Sequence, residues 1–271
     1  MNKVKDFFKE AYDVLKKPEV RILPGNLAFF MVFSIIPIFT LIIFIASSFS
    51  LETIVSTLDS VIPEAVISAV TNFIHSDAFS FANSVTLLIS FLLISNGANS
   101  LIITTNTLYG IEQNSILKTR VKSLFLAIVL LLLFSFTIFV LGFGNSIISF
   151  VISFAKLEMY SYYIVLLIKW PLSLLLLYFM VKIIYTMTPD ERIPSKYMSK
   201  GSLFTAMAWL VLTEIYVFYI TYIADYAQIY GSLASIIILM VWIYILSYAM
   251  VLGIGMNVNY YHRCMNKKKK K

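Results

Sequence analysis

Two ionisable residues, Lys169 and Glu214, stand inside long apolar runs of this 271-residue chain. A charge at membrane depth needs a partner, a proton or water, so these residues are the first candidates for chemistry. Asn96, Asn99 and Asn106 fall in another apolar run, and Asn257 lies near the end of the last. Amides placed so deep either bond across helices or face water. The sets that ordinary enzymes use are not formed. His75 and His262 belong to no His-Glu-x-x-His arrangement, and neither a Gly-x-Ser-x-Gly elbow nor a pair of intramembrane aspartates occurs. A metal-dependent nuclease needs clustered carboxylates, which are scattered here. No Walker sequence is present, and Cys264, the single cysteine, has no disulfide partner in the chain. The expectation is a protein without catalytic residues, metal or cofactor, in which the polar residues either line a path or hold helices together.

The elements that position them follow from composition. Apolar residues make up 60% of the chain and charged residues 13%, against roughly 45–50% and about 25% in soluble domains. Uncharged runs at 26–49, 85–107, 123–147, 161–182, 202–223 and 231–256 predict six transmembrane helices in one all-α membrane domain, 1–271. The net charge of +7 is explained by orientation. Of the 21 Lys and Arg residues, all but Lys156 and Lys169 fall in 1–21, 118–122, 182–200 or 263–271, on alternate sides of the spans. The positive-inside rule then places both termini in the cytoplasm. The outer connection 50–84 carries Glu52, Asp59, Glu64 and Asp77 and no basic residue.

Residues 1–21 read as an amphipathic cytoplasmic segment rather than a cleavable leader, with Val4, Phe7, Phe8, Ala11, Tyr12 and Leu15 at helical spacing. It lies either in the membrane interface or on cytoplasmic loops. Leu51 to Leu58 and Val66 to Ile74 repeat the pattern, predicting two short amphipathic helices over the outer mouth. Aromatic belts are expected from Tyr160, Tyr162, Tyr163, Tyr222, Tyr226 and Tyr230 outside and from Tyr185, Tyr260 and Tyr261 inside. Residues 262–271 form a basic cytoplasmic tail.

Lys169 and Glu214 each lie eight residues from the outer end of their spans, about 12 Å deep at the rise of an α-helix. Equal depth on consecutive spans predicts an ion pair or a shared aqueous cavity. At 100° per residue, Asn96, Asn99, Ser100, Asn106 and Thr107 share one face, interrupted by Ile103, with Ala98, Leu101 and Leu108 opposite. That face either bonds neighbouring helices or borders a hydrated vestibule open to the cytoplasm. Pro37 frees the Phe33 carbonyl and predicts a kink near Ser34. Gly231, Gly253 and Gly255 allow close helix packing.

Several segments carry a resemblance. Asn26-Leu27-Ala28-Phe29-Phe30 with Ser34-Ile35-Ile36-Pro37 resembles the first span of the YihY/BrkB family of bacterial inner-membrane proteins. Asn106-Thr107-Leu108-Tyr109-Gly110 is similar to the end of its second span. Ile229-Tyr230-Gly231-Ser232-Leu233-Ala234, continuing through Trp242-Ile243-Tyr244 to Leu252-Gly253 and Asn257, resembles its last span. Tyr185, Pro189, Arg192, Ile193, Pro194 and Gly201 are similar to the loop before span five. The resemblance implies a six-helix inner-membrane protein of a family whose members have carried the label ribonuclease BN or been linked to serum resistance and to export of envelope lipid and lipopolysaccharide. One departure stands out. Where the family often has Gly-Ala-Glu-Leu-Asn, this chain has Gly253-Ile254-Gly255-Met256-Asn257, so a proton- or cation-carrying acid is missing at Gly255 unless Glu214 takes that role.

The expected function is a secondary transporter or a translocator of lipid or another envelope component; the alternative is a non-transporting scaffold or envelope-assembly factor. Expected partners are membrane lipids, with anionic lipid at the cytoplasmic face and no nucleic acid. A homo-oligomer is compatible with the sequence and not specified by it.

Overall fold

The computed structural model describes residue 14 and residues 18–47, 81–154, 161–223 and 233–269. The regular elements among them are all helical. A 3₁₀ turn, Pro18–Arg21, leads into α1 (Leu23–Ser47), followed by α2 (Phe81–Tyr109), α3 (Ile116–Phe154), α4 (Ser161–Met187), a second 3₁₀ turn at Ser195–Tyr197, α5 (Ser199–Tyr222) and α6 (Ala234–Lys269). Helices α2 to α6 contain stretches long and apolar enough to cross a membrane, whereas in α1 the described apolar stretch is Leu23–Ser34.

The helices outrun the hydropathy boundaries at the end of the molecule that carries the basic loops. α3 begins at Ile116, so Lys118, Arg120 and Lys122 stand on its first turns, and α6 continues to Lys269 through the segment expected as a tail. Hydropathy marks where hydrocarbon begins, but an α-helix satisfies its backbone internally and need not stop there. α1 runs unbroken through Pro37. Ser34 beside it donates its hydroxyl to the Phe30 carbonyl at 2.7 Å.

Each helix packs on the next, and α6 returns to α1, closing a ring across which α2 also reaches α6. The short connection between α2 and α3, residues 110–115, makes those two helices antiparallel neighbours. Outward lie exposed Leu88, Phe125, Leu132, Phe136, Leu175, Phe179 and Phe218; inward lie Leu27, Ile94, Ile102, Leu126, Ile184 and Met250. An apolar rim around a packed core suits a bilayer. α2 ends at Gly110, whose φ of +68° closes a Schellman turn. The Ile111 amide donates to the Asn106 carbonyl at 2.9 Å and that of Gly110 to Thr107 at 3.3 Å.

Some expectations lie outside the described residues: most of the N-terminal segment, the outer helices between 51 and 74, Gly231, and the side chains of Lys169 and Pro37. Tyr185 departs from the aromatic belt expected of it. It is fully buried between α4, α5 and α6, because its hydroxyl finds protein partners there and has no need of the interface.

Candidate functional site

Three structures organise the bundle: a polar knot at the basic end, a ladder between α5 and α6, and a partly open cavity bordered by the ring's helices.

The knot is centred on Asp190, whose side chain is 3% exposed. The Lys122 ammonium spends all three protons on it and its neighbours, reaching the Thr188 carbonyl at 2.7 Å, the Pro189 carbonyl at 2.6 Å and Asp190 Oδ1 at 2.7 Å. Asn106 grips the same residue twice. Its Nδ2 donates to Asp190 Oδ2 at 2.7 Å, and its Oδ1 accepts the Asp190 amide at 3.0 Å. The Asn114 amide, delivered by the turn at Gly110, adds a bond of 3.3 Å. Burial alone would raise the Asp190 carboxyl, but the bonds from Lys122, Asn106 and Asn114 outweigh it and hold the group below the usual carboxylate range. The knot thereby ties the end of α2, the start of α3 and the connection after α4. Lys122, which the charge pattern explains by orientation alone, thus also has a specific bonding role.

On α2, Asn96 is half-buried and accepts a bond of 2.7 Å from the Arg120 guanidinium, while Asn99 is half-buried and Asn106 fully buried. Thr107, grouped with them from sequence, is exposed, and Ala98, Leu101 and Leu108 opposite are buried as well. At the level of Asn106 α2 is therefore buried on both sides, while Asn96 and Asn99 stay half-buried. Buried Ser100 and Thr104 have hydroxyls without a partner among the described residues.

The ladder runs antiparallel at one-turn steps. The Gly201 amide donates to Asn257 Oδ1 at 2.7 Å; Thr205 Oγ1 donates to Tyr185, which donates to the Met250 carbonyl at 2.8 Å. Trp209 Nε1 reaches the Leu246 carbonyl at 2.9 Å, Trp242 Nε1 reaches Thr213 Oγ1 at 3.2 Å, and the Tyr216 hydroxyl reaches the Ile238 carbonyl at 2.7 Å. Gly201 lies in the first turn of α5, where amides lack intrahelical acceptors, so Asn257 caps α5 from a different helix. Nδ2 of Asn257 has no partner among the described residues. Glycines set the spacing. A Cβ on Gly253 would overlap Thr205 Oγ1 and crowd Tyr185 and the Gly201 carbonyl, and one on Gly201 would overlap the Gly253 carbonyl. Gly255 faces Val14, whose side chain would collide with any Cβ there. The position at which the resemblance gives an acid is thus filled from the N-terminal segment.

The cavity, of about 340 Å³, is lined by all six helices, among others by Met31, Ala98, Phe134, Met180, Trp209 and Trp242. Among the described residues its lining is hydrocarbon and aromatic ring, with Ser34, Thr137, Thr213 and Glu214 as the polar groups. Glu214 is itself exposed and makes no ion pair among the described residues. It lies eight residues from the far end of α5. Lys169, one residue before Trp170 on the neighbouring α4, lies eight residues after the start of that helix, and its side chain is outside those described.

Asp190 and Trp209 are not singled out by the sequence, Gly201 and Trp242 enter only through the resemblance, and Lys122 only through orientation. The usable signal is the four-residue spacing of Gly201, Thr205, Trp209 and Thr213; Asp190, beside Glu191 and Arg192, carries none.

Comparison with known proteins places this architecture. The family model described as "Virulence factor BrkB" matches residues 11–271. The ribonuclease-like protein YfkH of Bacillus subtilis is 25% identical over 256 residues, spanning 91% of this chain and 92% of that one. A UPF0761 membrane protein of Vibrio campbellii is 37% identical over 92 residues, 32% of this chain and 28% of its own length. One of Pseudoalteromonas translucida is 37% identical over 70 residues, 26% of this chain and 23% of its own. No solved structure matches the chain.

Proposed function

The chain belongs to the virulence factor BrkB family, and from that premise we propose that it is a six-span inner-membrane protein that translocates an amphiphile, a lipid or another envelope component, by secondary transport. The observation that carries this reading is the central cavity. A ring of six helices built only to scaffold would gain by filling its middle, whereas here every helix contributes to the wall of a space within the apolar segments. α1 counts as the sixth span, and the basic end faces the cytoplasm with both termini. Basic loops at one end of the bundle support that orientation. Exposed Lys196 and Lys200 stand over the Tyr197 and Tyr260 rings, at 5.1 Å and 4.2 Å from the ring centroids, and with exposed Arg192 would favour anionic lipid there.

No hydrolytic activity is proposed. The name of YfkH belongs to that protein, and in this chain the acid of the knot is held by a lysine and two asparagines rather than gathered with other acids. Reconstitution into liposomes with a panel of anionic lipids and small solutes tests the reading. Flux that Glu214→Gln or Asn99→Ala abolishes while the fold survives is expected. No flux with any substrate would instead assign the bundle to the scaffold class.

A further inference from the structure

Helix α2 presents two faces. Ile94, Ala98 and Leu101 line the cavity. On the other side Val85, Ile89, Leu92, Ile103 and Thr107 fall within about 40° of Asn96 at 100° per residue, and all of them are exposed or half-buried. That stripe looks away from the ring, where exposed apolar residues meet lipid, and an amide in it is costly unless it is bonded. The bond comes from α3, whose exposed Arg120 donates Nη1 to Asn96 Oδ1 at 2.7 Å. It occupies one of the five donors of a guanidinium. Arg120 stands just before the uncharged run 123–147, and the bond of 3.0 Å between the Ser95 and Ser123 hydroxyls sets Asn96 level with the start of that run. A planar guanidinium at the edge of the hydrocarbon matches a phosphate, to which it can present two parallel donors. Further into the span the apolar surface continues with exposed Ile89 and Leu92 on α2 and Ile128 on α3.

We propose that this outer face of α2 and α3 binds an anionic phospholipid, with the phosphodiester at Arg120 and an acyl chain along Ile89, Leu92 and Ile128. Asn96 acts as the positioning residue that holds the guanidinium over the stripe. A second copy of the chain suits the face less well, because closure about a twofold axis would bring two Arg120 charges towards each other. A zwitterionic lipid would bring its own ammonium beside Arg120 and exposed Lys118, a like-charge contact that an anionic lipid avoids. The site lies outside the ring and apart from Lys196 and Lys200, so it stands independently of the cavity and of transport.

The full chain, delipidated in a nonionic detergent, is photolabelled with a phosphatidylglycerol that carries a diazirine in its headgroup, and peptide mass spectrometry locates the adducts. In the wild type adducts are expected on the α2 and α3 peptides that contain Asn96 and Arg120. Dioleoylphosphatidylglycerol should suppress them at concentrations at least about tenfold below dioleoylphosphatidylcholine or dioleoylglycerol, the scale of one hydrogen bond between charged groups. Arg120→Gln should weaken labelling of these peptides by at least about tenfold, with Arg120→Lys retaining part of it and Asn96→Ala causing a smaller loss. Arg21→Gln removes an exposed basic residue ahead of α1 and should leave the labelling unchanged. The wild-type competition decides even where a variant fails to fold. Adducts absent from both peptides, equal suppression by the three lipids, labelling indifferent to Arg120→Gln, or a loss in Arg21→Gln as large as in Arg120→Gln would each overturn the proposal. So would cross-linking of two chains through α2 in place of the lipid adduct.

Discussion

The basic end and the middle of the bundle treat polarity in opposite ways. At the basic end a carboxylate, an ammonium and an asparagine amide are engaged until Lys122 and Asp190 have no spare proton or uncontacted carboxylate oxygen. In the middle a carboxylate, Glu214, borders a space walled by apolar groups and has no such company among the described residues. The first arrangement commits its charges within the fold; beside the second, the side chain of Lys169 at the depth of Glu214 lies outside the described residues. A polar network that is fully connected rigidifies, and here it joins three segments at one end, so the knot and the α5–α6 ladder are the fixed frame around the cavity.

The largest effect is expected where the frame is charged. Asp190→Ala leaves the Lys122 ammonium, 25% exposed, without its counterion and should destabilise by about 3 kcal/mol. Combining it with Lys122→Met should restore most of that loss in denaturant titration of the purified protein. A double variant no better than the single would remove the knot from the frame. Next comes the ladder. Gly253→Ala places a methyl group against Thr205 Oγ1 and the Gly201 carbonyl and should cost about 1–3 kcal/mol, the usual penalty of overpacking. Adding Thr205→Ala should recover part of it, and a neutral Gly253→Ala would show that the helices can part freely.

A smaller effect should follow when bulk is added to the cavity. Thr137→Phe adds a ring where space exists and should cost less than Gly253→Ala, because the added volume meets a cavity rather than a packed contact. A cost as large as that of Gly253→Ala would show that the middle is packed as tightly as the ladder. The smallest effect concerns pH. Because the folded Asp190 carboxyl lies below its ordinary value, its stabilisation is complete above that value, about 3.9, and is lost only as pH falls through the lower folded one. This group should therefore add no slope to stability between pH 5 and 8, and wild type should converge on Asp190→Asn only below about pH 4. A slope near neutrality that Asp190→Asn removes would contradict the bonding described for the knot.

How far the site was legible in sequence differs by residue. Glu214 and Lys169 stood out because a charge in an apolar run is visible without any geometry. Asn106 and Asn257 stood out as polar residues at depth, but their partners, the loop residue Asp190 and the first-turn amide of α5, lie 84 and 56 residues away in the chain. No local period records such pairing. Lys122 was masked by a correct rule: a basic residue next to a span satisfies the orientation signal whether or not it also bonds a buried acid. Tyr185 misled for a similar reason, since a tyrosine near a span end fits either a belt or a buried hydrogen bond.

Composition and hydropathy by themselves determined that this chain is helical and built for a membrane, because the bilayer admits few ways of satisfying a backbone and each helix must carry its own apolar length. Only the tertiary structure decided that the helices close into a ring, that Gly201 and Gly253 bring α5 against α6, that Val14 fills the space at Gly255, and that a cavity remains with Glu214 at its wall. The physical reason is that apolar length is a property of one segment, whereas contact, closure and empty volume are properties of several segments at once.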